Sequence, residues 1–213
     1  AKKIESMESV LAVSPYISDK VIFANGRTLR GGVLTAIDPA MEARVSRIPE
    51  AMISGSLDSL AQPGFSVVLG ASMARILRVR VGDKLEVTVP RLTVTPLGVF
   101  PRSKRLTVTG VFEVGAQPDT YQAYISLPSG QKLLGPRTGV DGLQLKTVDL
   151  YSAPQTMLAV AASIPANMKV KDWSQTQGSL FQAVKMEKLV VSLLLLSVVA
   201  VAAFNIVSTL VMS

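Results

Sequence analysis

An uncharged run from Leu189 to Met212, near the end of the chain, constrains the fold more than any other feature of the sequence. A helix needs about 20 mostly apolar residues to cross a hydrocarbon layer of about 30 Å, so this run is long enough to span a membrane. It also contains no charged side chain that would have to be desolvated. The alternative is a buried core helix, but a long helix without a polar face is unusual in a domain of this size. The sequence therefore predicts a C-terminal transmembrane helix.

Small and hydrogen-bonding residues lie along one side of this predicted helix. They follow one another at helical spacings, and they are Ala202, Asn205, Ser208 and Thr209. Lipid cannot satisfy an amide, and small residues let helices approach closely, so we expect this side to pack against a partner helix in the membrane. The alternative is a single-pass anchor in which Asn205 bonds to its own backbone.

The helix is expected to begin well before the membrane. Two pairs with capping-box spacing precede it, Asp172 with Gln175 and Ser174 with Gln177, and no proline follows. A continuous helix from Ser174 would be about 60 Å long, roughly twice the hydrocarbon thickness. Its first half is therefore predicted to stand in water as a rigid stalk.

The residue counts exclude several kinds of chemistry. The chain has 213 residues with no cysteine and no histidine, which removes disulfides, thiol catalysis, the usual zinc sites and imidazole triads. It has no phosphate-binding loop, so any nucleotide hydrolysis is expected on another subunit. The net charge of +7 is not interleaved with aromatic residues, which favours an anionic lipid surface or an acidic partner over nucleic acid. No metal, cofactor or catalytic residue is expected.

The rest of the sequence predicts an α+β fold. Asn25-Gly26 indicates a hairpin, and Ala71 to Arg78 favours a helix with Met73, Ile76 and Leu77 facing inward. Strands are expected at residues 10–13, 21–24, 33–37, 67–69, 85–89, 106–114, 121–127, 143–148 and 169–172, and further helices at 2–11, 41–44 and 153–164.

The two ends of this region resemble each other in the order of their elements. Residues 1–40 and 135–173 are therefore expected to pair into one membrane-proximal subdomain, with a β-rich unit over 41–134 inserted between them. Residues 174–213 would then form the stalk and the transmembrane helix. The polar start, without an initiator methionine, is expected to lie inside a longer protein.

A segment that looks too long for a tight hairpin, Arg91 to Arg105, separates two of the predicted strands. Pro90, Pro96 and Pro101 should keep it extended. Its tip would expose apolar residues, namely Leu92, Val94, Leu97, Val99 and Phe100. Exposed apolar residues on an ordered arm indicate contact with a partner. The alternative is a mobile or swapped hairpin extension without a role.

Three segments carry a resemblance to a known family: Val67 to Val89, Thr95 to Leu106, and Asp172 to Met212. They resemble the membrane subunits of the bacterial lipoprotein-releasing ABC transporter, the LolC/LolE family, within the wider class of MacB-like permeases. The resemblance implies a discontinuous Porter-like α/β subdomain, formed by residues 1–40 and 135–173, with an inserted β-rich Sabre-like subdomain. A C-terminal transmembrane helix would follow them.

The resemblance also implies a function. The chain would be a non-catalytic subunit in the bacterial inner membrane, with its large domain in the periplasm. It would work with a second membrane subunit and a cytoplasmic ATPase dimer. Together they would extract triacylated lipoproteins from the outer leaflet of membrane lipid and hand them to a soluble periplasmic chaperone.

In the chaperone-docking, LolC-like type of subunit, a proline-containing hook projects from the β-rich subdomain with polar residues behind it. Here the hook would run from Arg91 to Pro101 and bend at Pro96. The polar residues behind it would be Ser103, Lys104 and Arg105. Glu86 departs from the family pattern, since a basic residue is expected on that strand.

The acyl chains of the lipoprotein are expected to leave the bilayer beside Met186, Leu189, Val190 and Leu193. Lys185 and Lys188 lie on the side that the family places in the periplasm, against the usual positive-inside distribution. Two other functions stay open, a MacB-like efflux or force-transmitting permease and a single-span receptor ectodomain. The apolar hook favours lipoprotein transfer over a related permease, which would not need it, whereas a reading frame that ends near Ser213 would favour the receptor ectodomain.

Overall fold

The chain is described from a computed structural model, which covers residues 9–95, 98–134, 139–148, 153–164, 169–171 and 178–212. It divides into two compact units, Ala1–Val148 and Asp149–Ser213. The strands are β1 (Val10–Asn25), β2 (Thr28–Ile37), β3 (Met52–Gly55), β4 (Ser66–Gly70), β5 (Lys84–Thr95), β6 (Gly98–Phe112), β7 (Gln122–Ser126) and β8 (Gly142–Thr147). The helices are α1 (Pro39–Val45), α2 (Ala71–Leu77), α3 (Pro118–Tyr121), α4 (Leu127–Leu133), α5 (Ala153–Ser163) and α6 (Gly178–Met212), with a 3₁₀ helix at Leu57–Ala61.

Six strands of the first unit close into a ring. Each is hydrogen-bonded to the next in the order β1, β2, β7, β4, β6, β5, and β5 pairs back to β1. The ring closes at Ile22 of β1, which faces Gly31 of β2 on one side and Thr88 of β5 on the other. Closure leaves these strands without a free edge at that level. β3 pairs with β6 outside the ring.

The longest strand, β1, serves two parts of the sheet. Its second half pairs with β2 through the predicted Asn25-Gly26 hairpin, which is confirmed. The two turn residues are Gly26 and Arg27. Gly26 has a φ of +58°, as the first position of a type II′ turn requires, and glycine is the residue that favours it. The first half of β1, from Val10 to Tyr16, pairs instead with β8.

Apolar side chains fill the inside of the ring. In β5, Leu85, Val87 and Val89 are buried whereas Glu86 is exposed, which is the two-residue alternation of a strand with one face in the core. Phe23 and Leu106 are fully buried members of the same cluster. The alternation predicted for β5 is therefore confirmed.

Helix α2 belongs to this inner core as well. Met73 and Leu77 are fully buried, as predicted, but Ile76 is 40% exposed and its inward placement is wrong. At 3.6 residues per turn, Ile76 lies about 100° from the centre of the face formed by Met73, Ala74 and Leu77. A two-turn helix that packs against the core on one side therefore buries that face and leaves Ile76 partly exposed.

A second, smaller core lies on the outside of the ring. It contains Ile37, Val68 and Phe112 from the strands together with Ile48, Leu57 and Leu60. Tyr124 packs against this cluster, and its ring centroid lies 5.5 Å from that of Phe112. The residues between α1 and β4 thus cover the outer face of the sheet.

Two further predicted elements differ from the structure, besides the strands predicted at 10–13 and 21–24, which are parts of one continuous strand, β1. The helix over residues 2–11 is wrong at its end, because Val10 and Leu11 belong to β1; residues 1–8 lie outside the described part. The strand over 169–172 is also wrong, since residues 169–171 are irregular. In the first case, pairing with β8 outweighs the local preference.

The division at residues 40, 134 and 173 stays a prediction. Strand pairing does run across residue 40, because Val33 to Ile37 of β2 pair in parallel with Gln122 to Ser126 of β7.

The second unit contains the predicted C-terminal helix. α6 has 35 residues, or about 52 Å at 1.5 Å per residue, close to the length predicted from the sequence. Its stretch Met186–Ser208 is long and apolar enough to cross a membrane. The predicted capping pairs at 172–177 lie outside the described residues.

Candidate functional site

The candidate site is an arm formed by the ends of two ring strands. We define the arm as residues 92–95 of β5 and 98–101 of β6. Its strands pair from Leu92 opposite Pro101 to Thr95 opposite Gly98. Four residues per strand make the arm about 13 Å long. Pro96 and Leu97, at the predicted bend, lie outside the described residues.

The view that this segment is too long for a tight hairpin is wrong. Only two residues separate the last paired positions, Thr95 and Gly98. β-branched residues such as Thr93, Val94 and Val99 favour strand pairing, and this preference extends the ladder to the end of the arm.

A bulge separates the arm from the ring. Val89 faces Arg102 and Leu92 faces Pro101, so β5 gains Pro90 and Arg91 over a single step of β6. Proline cannot donate a ladder hydrogen bond, and a bulge is one of the places where a strand tolerates it. Bulges bend a strand and increase its twist, so the direction of the arm is set at Pro90.

The base of the arm has a polar outer face. Its cross-strand pairs are Thr88 with Ser103 and Glu86 with Arg105. The hydroxyl oxygens of Thr88 and Ser103 lie 2.8 Å apart. Glu86, which departs from the family pattern, is therefore opposite an arginine on the neighbouring strand.

Lys104 lies on the opposite face from Ser103 and Arg105. It pairs with the buried Val87, and its Nζ lies 4.7 Å from the ring centre of Phe65. A cation over an aromatic face at an exposed site contributes about 0.5–1 kcal/mol. The structure thus separates the three polar residues predicted behind the hook into two faces.

The predicted apolar hook residues are placed only by their backbone. The register holds Leu92, Val94, Val99, Phe100 and Pro101 in the arm. The side chains of residues 91–100 lie outside the described part of the chain. Their role in binding stays a prediction.

The residues predicted to contact acyl chains and those predicted to pack against a partner helix all lie within α6. Met186, Leu189, Val190 and Leu193 share one face by their spacing, and each is about half exposed or more. Ala202 and Ser208 are exposed, whereas the side chains of Asn205 and Thr209 lie outside the described residues.

Sequence reasoning missed a buried polar cluster beside α1. Glu42 is 2% exposed and accepts a hydrogen bond of 2.8 Å from Ser14 Oγ. Burial, with smaller contributions from the Glu42 carboxylate and Tyr121, raises the pKa of Tyr124. Ser14 and Glu42 are 28 positions apart, so no local pattern could have paired them.

The described residues offer no metal site of the usual kind. No three carboxylates converge in the part of the chain that the structure covers, and the sequence supplies no histidine or cysteine.

Comparisons with known proteins agree with the sequence resemblance. A model of the MacB-like periplasmic core domain matches residues 1–169. The lipoprotein-releasing system transmembrane protein LolC of Neisseria meningitidis serogroup B is 35% identical over 98% of this chain and 51% of its own length. LolC of Xylella fastidiosa is 34% identical over 95% of this chain and 49% of its own length. The chain thus spans about half the length of the curated relatives it matches.

A solved structure shares the fold. The extracellular domain of the noncanonic ABC-type transporter YknZ from Gram-positive bacteria matches 76% of this chain and 80% of its own, with a TM-score of 0.51 at 9% identity. This likeness confirms the mixed α/β sheet fold, and the curated relatives confirm the resemblance read from the sequence. The chain therefore belongs to the family that carries the MacB-like periplasmic core domain, and its curated relatives include the lipoprotein-releasing transmembrane proteins LolC and LolE.

Proposed function

We propose that the chain is part of a membrane subunit of an ABC transporter that extracts lipoproteins from the outer leaflet of the inner membrane. It hands them to a periplasmic chaperone, which docks on the arm. The chain itself is non-catalytic, and a cytoplasmic ATPase dimer supplies the energy. A second membrane subunit completes the transporter.

The arm is the observation that carries this proposal. It is a paired extension of two ring strands, and it places Leu92, Val94, Val99 and Phe100 beyond the ring. The relatives named LolC support the lipoprotein-releasing system as its setting. The sequence of the arm is apolar, and we propose that it meets a partner, because an apolar surface left in water is unfavourable.

The cost of moving acyl chains explains why docking is needed. Each methylene exposed to water costs about 0.8 kcal/mol, so three chains amount to tens of kcal/mol. Release into water is therefore excluded on energetic grounds. The arm brings the cavity of the chaperone close to the point where the chains leave the bilayer.

Helix α6 can serve two partners on different sides. The face of Met186, Leu189, Val190 and Leu193 is proposed to contact the leaving acyl chains. The face of Ala202, Asn205, Ser208 and Thr209 is proposed to pack against another membrane helix. At 100° per residue the centres of these two faces lie about 120° apart. One helix can therefore contact the acyl chains and pack against a neighbouring helix at the same time.

The Porter-like and Sabre-like subdomains are proposed with the boundaries predicted from the sequence. In this view the arm belongs to the Sabre-like part, far along the chain from the stalk. The stalk passes motion from the membrane to the periplasmic domain during each transport cycle.

The proposal is tested by chaperone pull-down with the full-length protein. Pro96→Asp and Phe100→Asp place a charge in the arm and should abolish the pull-down. Leu29→Asp is the matched control, because Leu29 is also an apolar hairpin residue and is 67% exposed. It should leave the pull-down unchanged.

Two results would overturn the docking role. One is an unchanged pull-down with both arm variants; the other is an equal loss with Leu29→Asp. Photo-crosslinking from Leu189 and Leu193 to an acylated lipoprotein tests the transport role separately. Crosslinks to lipid alone would favour an efflux or force-transmitting permease.

A further inference from the structure

A basic groove lies beside the free strand β3, away from the arm. It has a volume of about 700 Å³. Its lining includes Ile53 and Ser54 of β3 and residues of α2 and of the segment that follows it. Val111 of β6 also lines it, and it lies ten residues from Pro101, or about 33 Å along the strand.

The groove carries an excess of positive charge. Arg75, Arg78 and Arg80 line it, against a single acidic residue, Glu113. Arg78 and Arg80 are exposed residues, and in the described part of the chain neither guanidinium group has a hydrogen-bond or ion-pair partner. These two cations are therefore available to an anionic ligand.

The third arginine, Arg75, forms only a weak ion pair. Arg75 Nη2 lies 3.3 Å from Glu113 Oε1, and the two side chains are 70% and 45% exposed. An ion pair this open to water contributes about 0–1 kcal/mol, so a carboxylate of a ligand can compete for it.

Arg78 also occupies an unusual backbone conformation. Its φ of 54° and ψ of 46° are left-handed, at the end of α2 where glycine is the common residue. A side chain there costs about 1–2 kcal/mol. Glycine would avoid this cost but would remove the charge from the groove.

The neighbouring strand β3 presents a backbone edge. It pairs with β6 on one side, and no described strand pairs with it on the other. Its four residues, Met52 to Gly55, include no proline or charged side chain, the features that usually guard an exposed edge. Ile53 is 58% exposed, so it can meet an apolar side chain of an added strand.

The geometry points to a docking site for an extended acidic peptide segment of another protein. The segment adds as a strand to β3, with its carboxylates toward Arg78 and Arg80 and an apolar side chain against Ile53. This mode of recognition draws affinity from the backbone and specificity from alternate side chains. An anionic bilayer would use the arginines but not the strand edge or Ile53, so the groove favours a peptide.

The test measures binding of a fluorescent peptide of alternating Glu and Val to the whole chain in detergent, by anisotropy. The same peptide with Lys in place of Glu should not bind. A version N-methylated along one edge keeps its charges but loses ladder donors, so it should bind at least about tenfold more weakly.

Protein variants locate the site. Arg78→Glu with Arg80→Glu should weaken binding by at least about tenfold, because two charge-assisted contacts are reversed. Arg27→Glu with Arg30→Glu is the matched control, since both are exposed arginines on the β1–β2 hairpin, and it should change affinity less than about twofold.

Several results would overturn the site. These are no binding of the acidic peptide, equal binding of the N-methylated peptide, or an equal effect of the two charge reversals. A last measurement uses vesicles of phosphatidylglycerol and phosphatidylcholine in place of the peptide. If they bind through Arg78 and Arg80 while the peptide does not, the groove is a lipid contact and the peptide proposal is wrong.

Discussion

Asp119 is a buried carboxylate that holds the turn between β6 and α3, and replacing it tests how the connection from β6 to β7 is held. Only 4% of the residue is exposed. Its Oδ1 accepts the N–H of Val114 at 2.9 Å, and its Oδ2 accepts those of Gly115 at 2.8 Å and Ala116 at 3.3 Å. Its backbone packs directly against Gly70, at the start of α2. The carboxylate therefore fixes the segment that leads from one ring strand to the next.

The cost of Asp119→Ala follows from these three hydrogen bonds. A hydrogen bond to a charged group contributes about 1.5–3 kcal/mol, so complete loss of three would cost about 4.5–9 kcal/mol. Residues 114–116 are exposed, however, and water can reach their N–H groups once the carboxylate is gone. We therefore expect a loss of about 2–4 kcal/mol in the free energy of unfolding. Asp119→Asn keeps one acceptor oxygen and should lose about half as much.

Urea unfolding of the chain in detergent, followed by near-ultraviolet circular dichroism, measures this free energy. Asp38→Ala is the matched control, because Asp38 Oδ1 also accepts backbone N–H groups, those of Ala40 at 3.0 Å and Met41 at 3.3 Å, but at an exposed helix end. Loss of such a cap costs about 1 kcal/mol. If Asp119→Ala costs no more than Asp38→Ala, the reasoning from burial and three bonds is refuted.

Three further substitutions test the packing and titration of the first unit by the same unfolding measurement. Gly130→Ala places a Cβ against the Cβ of Ala36, and overpacking should cost about 1–3 kcal/mol; no loss would show that α4 can shift. Phe112→Ala empties the centre of the outer core and should cost about 3–5 kcal/mol, and a loss below about 1 kcal/mol would contradict that packing. Because the pKa of Tyr124 is raised in the folded state, the unfolded state ionises first as the pH rises through 10, so stability falls above that pH. Tyr124→Phe should reduce this alkaline loss, and an unchanged pH profile would contradict the placement.

Local signals were enough to predict several elements. Asn25-Gly26 indicated the hairpin because a two-residue turn needs a residue with positive φ, which Gly26 supplies. The alternation of Leu85, Val87 and Val89 gave β5 because only one face of that strand meets the core. The length and lack of charge of the last apolar run gave α6, since both follow directly from the sequence.

Other features depend on residues far apart in the chain. β1 runs through Pro15 because that proline pairs at the start of β8, opposite Leu143, more than a hundred positions away. The closure of the ring requires β1 and β5 to meet, which no local pattern reveals. The segment was expected to be extended but too long for a tight hairpin, yet its two strands pair as far as Thr95 and Gly98, and the bulge accommodates Pro90.

The arm continues two strands of the ring, β5 and β6, and this continuity decides how the proposed docking site is held. Val89 is fully buried immediately before the bulge, and the arm begins three residues later at Leu92. Because a paired strand can turn only where its ladder is interrupted, the packing of Val89 inside the ring sets the orientation of the arm. Val89→Ala should therefore weaken chaperone pull-down although no arm side chain changes. Val21→Ala, an equally buried valine of the inner core in β1, should leave it intact. Equal pull-down by the two variants would mean that the arm is oriented by its own bend rather than by the ring.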